Sequence, residues 1–503
     1  MAGFVRLVWK WTAGAFAALV ILFAVLVGIF RILVAQVPEY RVPVEQAVSG
    51  ATGLDFQIDA LDARWSLGGP EILFNGVQIF GRDGATLVSA RRGNLSLDVM
   101  QSILAWKPVW DRITLHRVQA DVTRNEDGEL LVLDTPLADL QSGESGEIPN
   151  GSLQLKNSTL VVNDQMEGGT TWVFDDVNLD ITHQDGDIRI GGDFQPPPEV
   201  SERVVFWANP IAEAGAWRAY ASLSDFDFGA LERVAGLPEQ MPVDGKADLR
   251  LWIDLKERSP TRVTAEFSVN ELRLAEPETD ALVGYQHLSG RVEWDRRQSG
   301  WEALAENLRM VTDGRENFSQ RIRVERSVTT SGSEGTFYVD ADYLRLQAFS
   351  PLIPYVTDVA LREDLIALQP RGEIRDLAVQ LSIIDDHPQG FDLELEAEVI
   401  GVAVQTRDRS PGVRGLSGKV RSDGRGGRLE LDSRDLEVDM PWLFRQPLSF
   451  AEAHGLFVWS RNAEGLTIIG DEFGVANPDL AIDGGLKLAL PTGGKVGTID
   501  LEA

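Results

Sequence analysis

The 503-residue chain contains no cysteine, which excludes a disulfide framework, a thiolate metal site and a cysteine nucleophile. Cations are also scarce: 47 Lys and Arg stand against 77 Asp and Glu, a formal net charge of -30. A nucleic-acid surface needs clustered Lys and Arg to release counterions, so this balance argues against such a partner. Arg91-Arg92 and Arg296-Arg297 read as solvated faces. Histidine is limited to five scattered residues, His116, His183, His287, His387 and His454. None shows the spacing of convergent metal donors, so no metal site is expected.

Catalytic patterns are missing too. No G-x-S-x-G elbow occurs, and Gly332-Ser333-Glu334-Gly335 has the wrong spacing. Gly494-Lys495 resembles the end of a phosphate loop, but Val496 stands where a hydroxyl is needed and Ala489 where the first glycine is needed. Glu394, Glu396 and Glu398 alternate along one strand-like run. An open acidic row in water does not push two carboxyl pKa values apart as acid-base catalysis requires. The expectation is a non-enzymatic protein without a cofactor.

What the sequence does contain begins at the N-terminus. Trp11 to Phe30 is an apolar run bracketed by Lys10 and Arg31, about 20 residues and so roughly 30 Å as a helix. Trp11, Phe16, Leu19, Leu22, Phe23, Leu26 and Phe30 would face lipid. Arg6 and Lys10 belong on the cytoplasmic side by the positive-inside rule. The run is too long for a cleaved signal peptide and no Ala-x-Ala site follows it. Residues 1–10 are therefore expected as a cytoplasmic tail, 11–34 as a transmembrane anchor and 35–503 as a body on the far side.

After Pro38 the hydrophobic period becomes two. Ala247, Leu249, Leu251, Ile253 and Leu255 alternate with Asp248, Arg250, Trp252, Asp254 and Lys256. Val263, Ala265, Phe267 and Val269 form a second run, and Phe391, Leu393, Leu395, Ala397 and Val399 a third. Shorter runs occur at Leu95/Leu97/Val99, Leu153/Leu155 and Val177/Leu179/Ile181. Alternation of this kind marks antiparallel strands with one wet face. Turns are predicted at Asn125–Gly128, Gln184–Gly186, Ser422–Gly424 and Asp483–Gly485. Short helices are predicted at Pro43–Val48, Arg203–Ala208, Ala230–Val234, Leu344–Val356 and Leu361–Leu368. The length alone would suit about three globular domains. The brief linkers at Gln141–Pro149, Pro196–Pro198 and Arg407–Gly412 favour one elongated sheet instead. Its apolar face must be buried against a second sheet or against a ligand with long hydrocarbon tails. Alternation alone leaves both open.

The order of units after the anchor resembles the AsmA-like superfamily of Gram-negative envelope proteins, and within it the YhdP branch. The resemblance rests on Leu61–Trp65, Pro70–Arg82, Ala90–Val99, Ile113–Asp121, Ile148–Asn163, Asp225–Leu255, Leu344–Val356 and Gly372–Val379. These are patterns of strands and turns, covering nearly the whole chain. The resemblance implies a mainly β fold, an elongated curled antiparallel sheet with an apolar inner groove. It implies an inner-membrane protein with its bulk in the periplasm, shielding phospholipid acyl chains between inner and outer membranes, with envelope proteins at either end of the groove. No catalytic residue carries over. The candidate groove lining is Leu95, Leu97, Val99, Leu153, Leu155, Leu249, Leu251, Ile253, Leu255, Val263, Phe267, Val269, Phe391, Leu393, Leu395 and Val399. Members of this branch are longer, so an N-terminal portion is expected, with a groove on the order of 100 Å if about 25 strands stack at ~4.8 Å. The alternative from the same features is an anchored structural or outer-membrane assembly factor that binds protein through exposed strand edges.

Overall fold

The computed structural model describes residues 28 and 39 and most of 41–502. Outside it lie 53–54, 67–68, 81–85, 106–108, 126–129, 133–134, 137–149, 166–168, 185, 212–214, 231–243, 258 and 277–281. So do 329–334, 357–358, 384–390, 408–409, 443, 463–464, 479–480, 492–497 and 503. The expected anchor, apart from Gly28, and the segments 141–149 and 231–234 are thus outside the described residues. No helix among the described residues is long and apolar enough to cross a membrane. The protein is mainly β and divides into two units, Met1–Ala219 and Tyr220–Ala503.

The first unit opens with helix α1 (Arg41–Thr52), then β1 (Asp55–Ser66), β2 (Gly69–Phe80), β3 (Thr86–Leu97), α2 (Val99–Ala105) and β4 (Trp110–Arg124). It continues with β5 (Leu130–Val132), β6 (Thr135–Pro136), β7 (Gly151–Asp164), β8 (Thr170–Gln184), β9 (Asp187–Gln195) and β10 (Arg203–Pro210). The unit boundary falls within β11 (Ala216–Asp227). Strands β1 to β4 pair in sequence order and antiparallel. The expectation of a purely antiparallel sheet fails at the next step, because β4 and β7 are parallel. A parallel pair needs a long crossover, and the chain from Asn125 to Asn150 supplies it. Antiparallel pairing resumes from β7 to β10.

The exposed edge of β1 is covered by α1 through side chains four residues apart. Arg41 donates to the Ile58 carbonyl at 2.9 Å, while Glu45 accepts from the Ile58 amide at 2.8 Å. Ser49 accepts from the Phe56 amide at 3.0 Å. Residues at i, i+4 and i+8 share a helix face, so the stripe replaces part of a missing neighbouring strand and blunts an edge that invites aggregation.

The second unit contains β12 (Asp244–Lys256), β13 (Ser259–Ala275), β14 (Leu282–Arg297), β15 (Gly300–Thr312), β16 (Arg315–Val328) and β17 (Gly335–Arg345). A 3-10 helix (Leu346–Tyr355) and α3 (Val359–Leu368) follow. Then come β18 (Arg371–Ile383), β19 (Phe391–Val404), β20 (Gly412–Ser422), β21 (Gly426–Asp439), β22 (Leu448–Asn462), β23 (Gly465–Ala476), β24 (Ala481–Pro491) and β25 (Thr498–Glu502). From β12 to β25 each strand pairs antiparallel with the next.

Strand after strand carries a bulge at a residue with positive φ. Glu271 (φ 52), Asn307 (φ 53), Gly401 (φ 58), Asp435 (φ 55) and Glu472 (φ 50) mark them in the second unit, and Arg117, Asn157 and Asp176 in the first. An inserted residue would turn every later side chain to the other face. The sequence compensates by shifting its apolar phase at the same point. In β13 the odd positions Val263 to Val269 give way after Glu271 to Leu272 and Leu274; in β21 Leu429 and Leu431 give way after Asp435 to Leu436 and Val438. The apolar set therefore stays on one face while the strand bends. Buried serines bond backbone groups beside the bulges. Ser433 Oγ accepts from the Ser417 amide and donates to the Ser417 carbonyl, and Ser158 Oγ accepts from the Val118 amide.

One stretch of the apolar face is closed. Ala247, Val269, Leu272, Leu274, Tyr285, Met310 and Ala348 of the 3-10 helix form a buried core. The Tyr285 hydroxyl donates to the Ala348 carbonyl at 3.1 Å, and the Tyr355 hydroxyl to the Ala275 carbonyl at 2.6 Å. Burial pushes the Tyr285 hydroxyl far above its ordinary pKa, so it stays a donor.

Three local expectations are corrected. Arg203–Ala208 is strand rather than helix, because its β-branched and aromatic residues pair with β9 (Val204 with Phe194, Ala208 with Ile190). Asp483–Gly485 lies inside β24, where the paired strand β23 bulges, and is no turn. Val99 starts α2 rather than extending β3: Asp98 Oδ1 accepts from the Gln101 amide at 2.9 Å, an N-cap that ends the strand. The predicted hairpins at Gln184–Gly186 and Ser422–Gly424 do connect β8 to β9 and β20 to β21.

Replacing the exposed Asp435 by Val should destabilise the chain by about 1–2 kcal/mol, since a β-branched residue is strained at positive φ. Asp435→Gly should cost far less. Urea titration of both variants checks this; equal stability of Val and Gly would remove the bulge as the cause.

Candidate functional site

Residues directly opposite on neighbouring strands share a face, so register converts alternation along the chain into rows across it. In the first unit one row runs Ala63, Ile72, Leu95, Ile113, Leu153, Ile181, Ile190, Ala208. Every member is apolar, and the row passes through the parallel step without a break.

The second unit has a longer row with one residue from each of β12 to β25. It runs Ile253, Val263, Trp294, Ala303, Val324, Val339, Val379, Leu395, Ser422, Gly427, Trp459, Ile468, Leu488, Ile499. At Gly427 a Cβ would lie 2.4 Å from the Trp459 ring, so the indole occupies the space that glycine leaves. The same device appears in the first unit, where the Phe74 ring lies 1.9 Å from a Cβ placed on Gly93. Aromatic rings thereby keep the face continuous at its small residues.

The expected lining residues fall on these faces except Val99, and Val269 lies where the face is closed. Leu249, Leu251, Ile253, Leu255, Val263, Phe267, Leu393, Leu395 and Val399 share the face in the second unit and are half-buried. Phe391 shares their strand and register. Leu95, Leu97, Leu153 and Leu155 are half-buried in the first unit. Val269 is only 3 % exposed, inside the closed core. Val99 is helical, as described above.

Sequence reading missed further members of the face. Trp294 stands between Glu293 and Asp295, and Trp459 ends the continuous apolar run Leu456–Val458, so in neither case does local alternation mark the face and register does. The alternation around Val324 and Val339 is shorter than in the long runs, and register is what joins it to the same row.

The opposite face is charged, and its charges alternate in sign across strands. Arg250, Glu266 and Arg291 stand side by side, with Arg250 and Arg291 at 3.3 and 3.5 Å from Glu266. Arg262 bonds Asp295 at 2.6 Å. Glu302 accepts from Arg297 at 3.0 Å and Arg323 at 3.1 Å. Glu396 is held by Arg421, which lowers the Glu396 pKa through a direct hydrogen bond. Burial raises the Glu302 pKa, but the bonds from Arg323 and Arg297 outweigh it and leave the group below its ordinary value.

A cleft of about 840 Å³ also lies on this charged side, lined by Tyr338, Asp340, Glu394, Glu396, Arg421 and Arg428 among others. Its Glu396 is paired with Arg421. No group of three or more His, Cys, Asp or Glu among the described residues could hold a metal.

Comparison with known proteins adds a family. The profile described as "YhdP protein" matches residues 1–503. The chain is 21% identical over 518 residues to the intermembrane phospholipid transporter YhdP of Escherichia coli strain K12, covering 94% of this chain and 38% of that relative. The chain thus spans well under half the length of this curated relative. No solved structure matches.

The lowered pKa values of Glu302, Glu396 and Glu71 set a pH dependence. A carboxyl depressed by folding contributes stability above its unfolded pKa and loses it as pH falls. Thermal stability should therefore drop between about pH 5 and pH 3. Glu302→Gln should cost about 1–2 kcal/mol at pH 7 and much less at pH 3; an equal cost at both would exclude the ion pairs.

Proposed function

This chain belongs to the YhdP family, and we propose that it forms the inner-membrane end of a periplasmic phospholipid conduit. Residues 11–34 anchor it, and the body from 35 onward holds acyl chains on its apolar face while headgroups stay in water. The E. coli relative is named as an intermembrane phospholipid transporter, and the reading extends that role to this chain. The protein carries no catalytic function in this reading.

The observation that carries it is the half-buried state of the apolar rows. In a β-sandwich the inward residues of two sheets form a closed core. Here Ile253, Val263, Trp294, Val324, Val339, Val379 and Leu395 all remain half-buried. Acyl chains laid along them would gain about 0.8 kcal/mol per buried methylene, which offsets much of the cost of leaving a bilayer. The bulges, which bend strands, favour a sheet curled around those chains. The charged opposite face keeps the sheet soluble.

Photo-crosslinking amino acids at Leu251, Phe267 and Leu395 should capture phospholipid in cells, while those at Arg250, Glu266 and Glu394 should not. Equal labelling of both faces would sink the proposal. Leu251→Asp combined with Phe267→Asp should abolish lipid capture in a folded chain, and undiminished capture would count against the apolar face as the lipid site; absence of lipid from the unaltered chain would point instead to a protein-binding assembly factor.

A further inference from the structure

Between the bulges and the last paired residues before the 256–259, 297–300 and 461–465 turns, the strand-paired positions on the apolar face of β12–β25 have a restricted composition. In a chain with 77 Asp and Glu, none of the described face positions in this zone is acidic. Three are cationic: Arg296, Arg326 and Arg461. Each lies one step outward from the long apolar row, beyond Trp294, Val324 and Trp459 respectively.

All three arginines are exposed, and each has an aromatic neighbour on the same face. Arg296 stands opposite Trp301, and Trp301 opposite Arg326. The Arg326 guanidinium lies 5.7 Å from the Phe337 ring centroid, a cation-π distance. Arg461 follows two residues after Trp459 on β22. Aromatic rings with cations beyond them are the arrangement found where hydrocarbon meets water at a membrane surface. Arginine stems cover apolar surface while their charged ends stay wet.

We infer that Arg296, Arg326 and Arg461, with Trp301, Phe337 and Trp459, form a rail that holds the phosphate of a phospholipid headgroup while its acyl chains lie on the inner rows. This deepens the conduit reading and rests on it. Guanidinium groups match phosphate oxygens by paired, charge-assisted hydrogen bonds. Acids on the same margin would repel the phosphate, and the face lacks them. The rail selects for the phosphate group shared by phospholipids and against neutral diacylglycerol with the same tails.

The test uses the detergent-purified full chain incubated with vesicles of equal phosphatidylglycerol and diacylglycerol, followed by native mass spectrometry of retained lipid. The unaltered chain should retain phosphatidylglycerol about fivefold over diacylglycerol, the order expected from solvent-exposed ion pairs. Arg296→Gln/Arg326→Gln/Arg461→Gln should retain both lipids equally. The corresponding triple Lys variant should keep most of the preference, and its melting curve shows that the chain still folds. Arg250→Gln/Arg291→Gln on the charged face should leave the preference intact. Preference surviving in the triple Gln variant, or lost equally in the charged-face variant, would overturn the rail. Equal retention by the unaltered chain would overturn the rail alone, and retention of neither lipid would overturn the conduit as well.

Discussion

Cross-strand register is the constraint on which the rest of this structure depends. A strand by itself has an apolar and a polar side, but a continuous surface exists only if every neighbour aligns its own apolar side at the same level. The rows from Ala63 to Ala208 and from Ile253 to Ile499 meet that condition in each unit. A slip of one residue in any strand would place a charge such as Arg250 or Glu394 on the apolar face. The charged side reinforces the same alignment, because Arg262 with Asp295 and Arg323 with Glu302 bond across strands only in the native register.

Bulges are where this constraint is hardest to satisfy, and the local chemistry shows how it is met. Residues tolerant of positive φ, mostly Asn, Asp and Gly, occupy many of the inserted positions, and Glu271, Glu472 and Arg117 occupy others at some conformational cost. The serines beside the bulges supply hydrogen bonds the interrupted ladder lacks. The phase shift in the apolar pattern then returns the following residues to the shared face. Bent strands with one unbroken apolar side suit a sheet that wraps a hydrocarbon ligand, and the arginines at its outer margin suit the polar end of the same molecule.

Much of this was legible before any coordinates. The long alternating runs Ala247–Leu255, Val263–Val269 and Phe391–Val399 became strands with the expected faces, and the hairpins after Gln184 and Ser422 formed as their turn residues indicate. Elsewhere local signals were outweighed. Arg203–Ala208 lacks clean alternation and reads as helix until β9 is available to pair with it. Gly484 and Gly485 look like a turn, yet serve a strand lying beside a bulge. Val99 continues an apolar alternation but follows Asp98, whose side chain caps a helix more effectively than it extends a strand. The parallel step between β4 and β7 has no local signature at all, since both strands alternate as antiparallel ones do.

The sequence by itself determined that this is a mainly β protein with one-sided strands, an apolar N-terminal run and no cysteine. Those properties reside in residue identity and in a period of two, which are local. Only the tertiary structure decided which apolar residues are neighbours, that Trp294 and Trp459 belong to one row, that Val269 is sealed into the core under the 3-10 helix while Val263 is not, and that Arg296, Arg326 and Arg461 share a margin. Those properties depend on register between strands, and register is settled by pairing, bulges and packing acting together across segments that lie far apart in the chain.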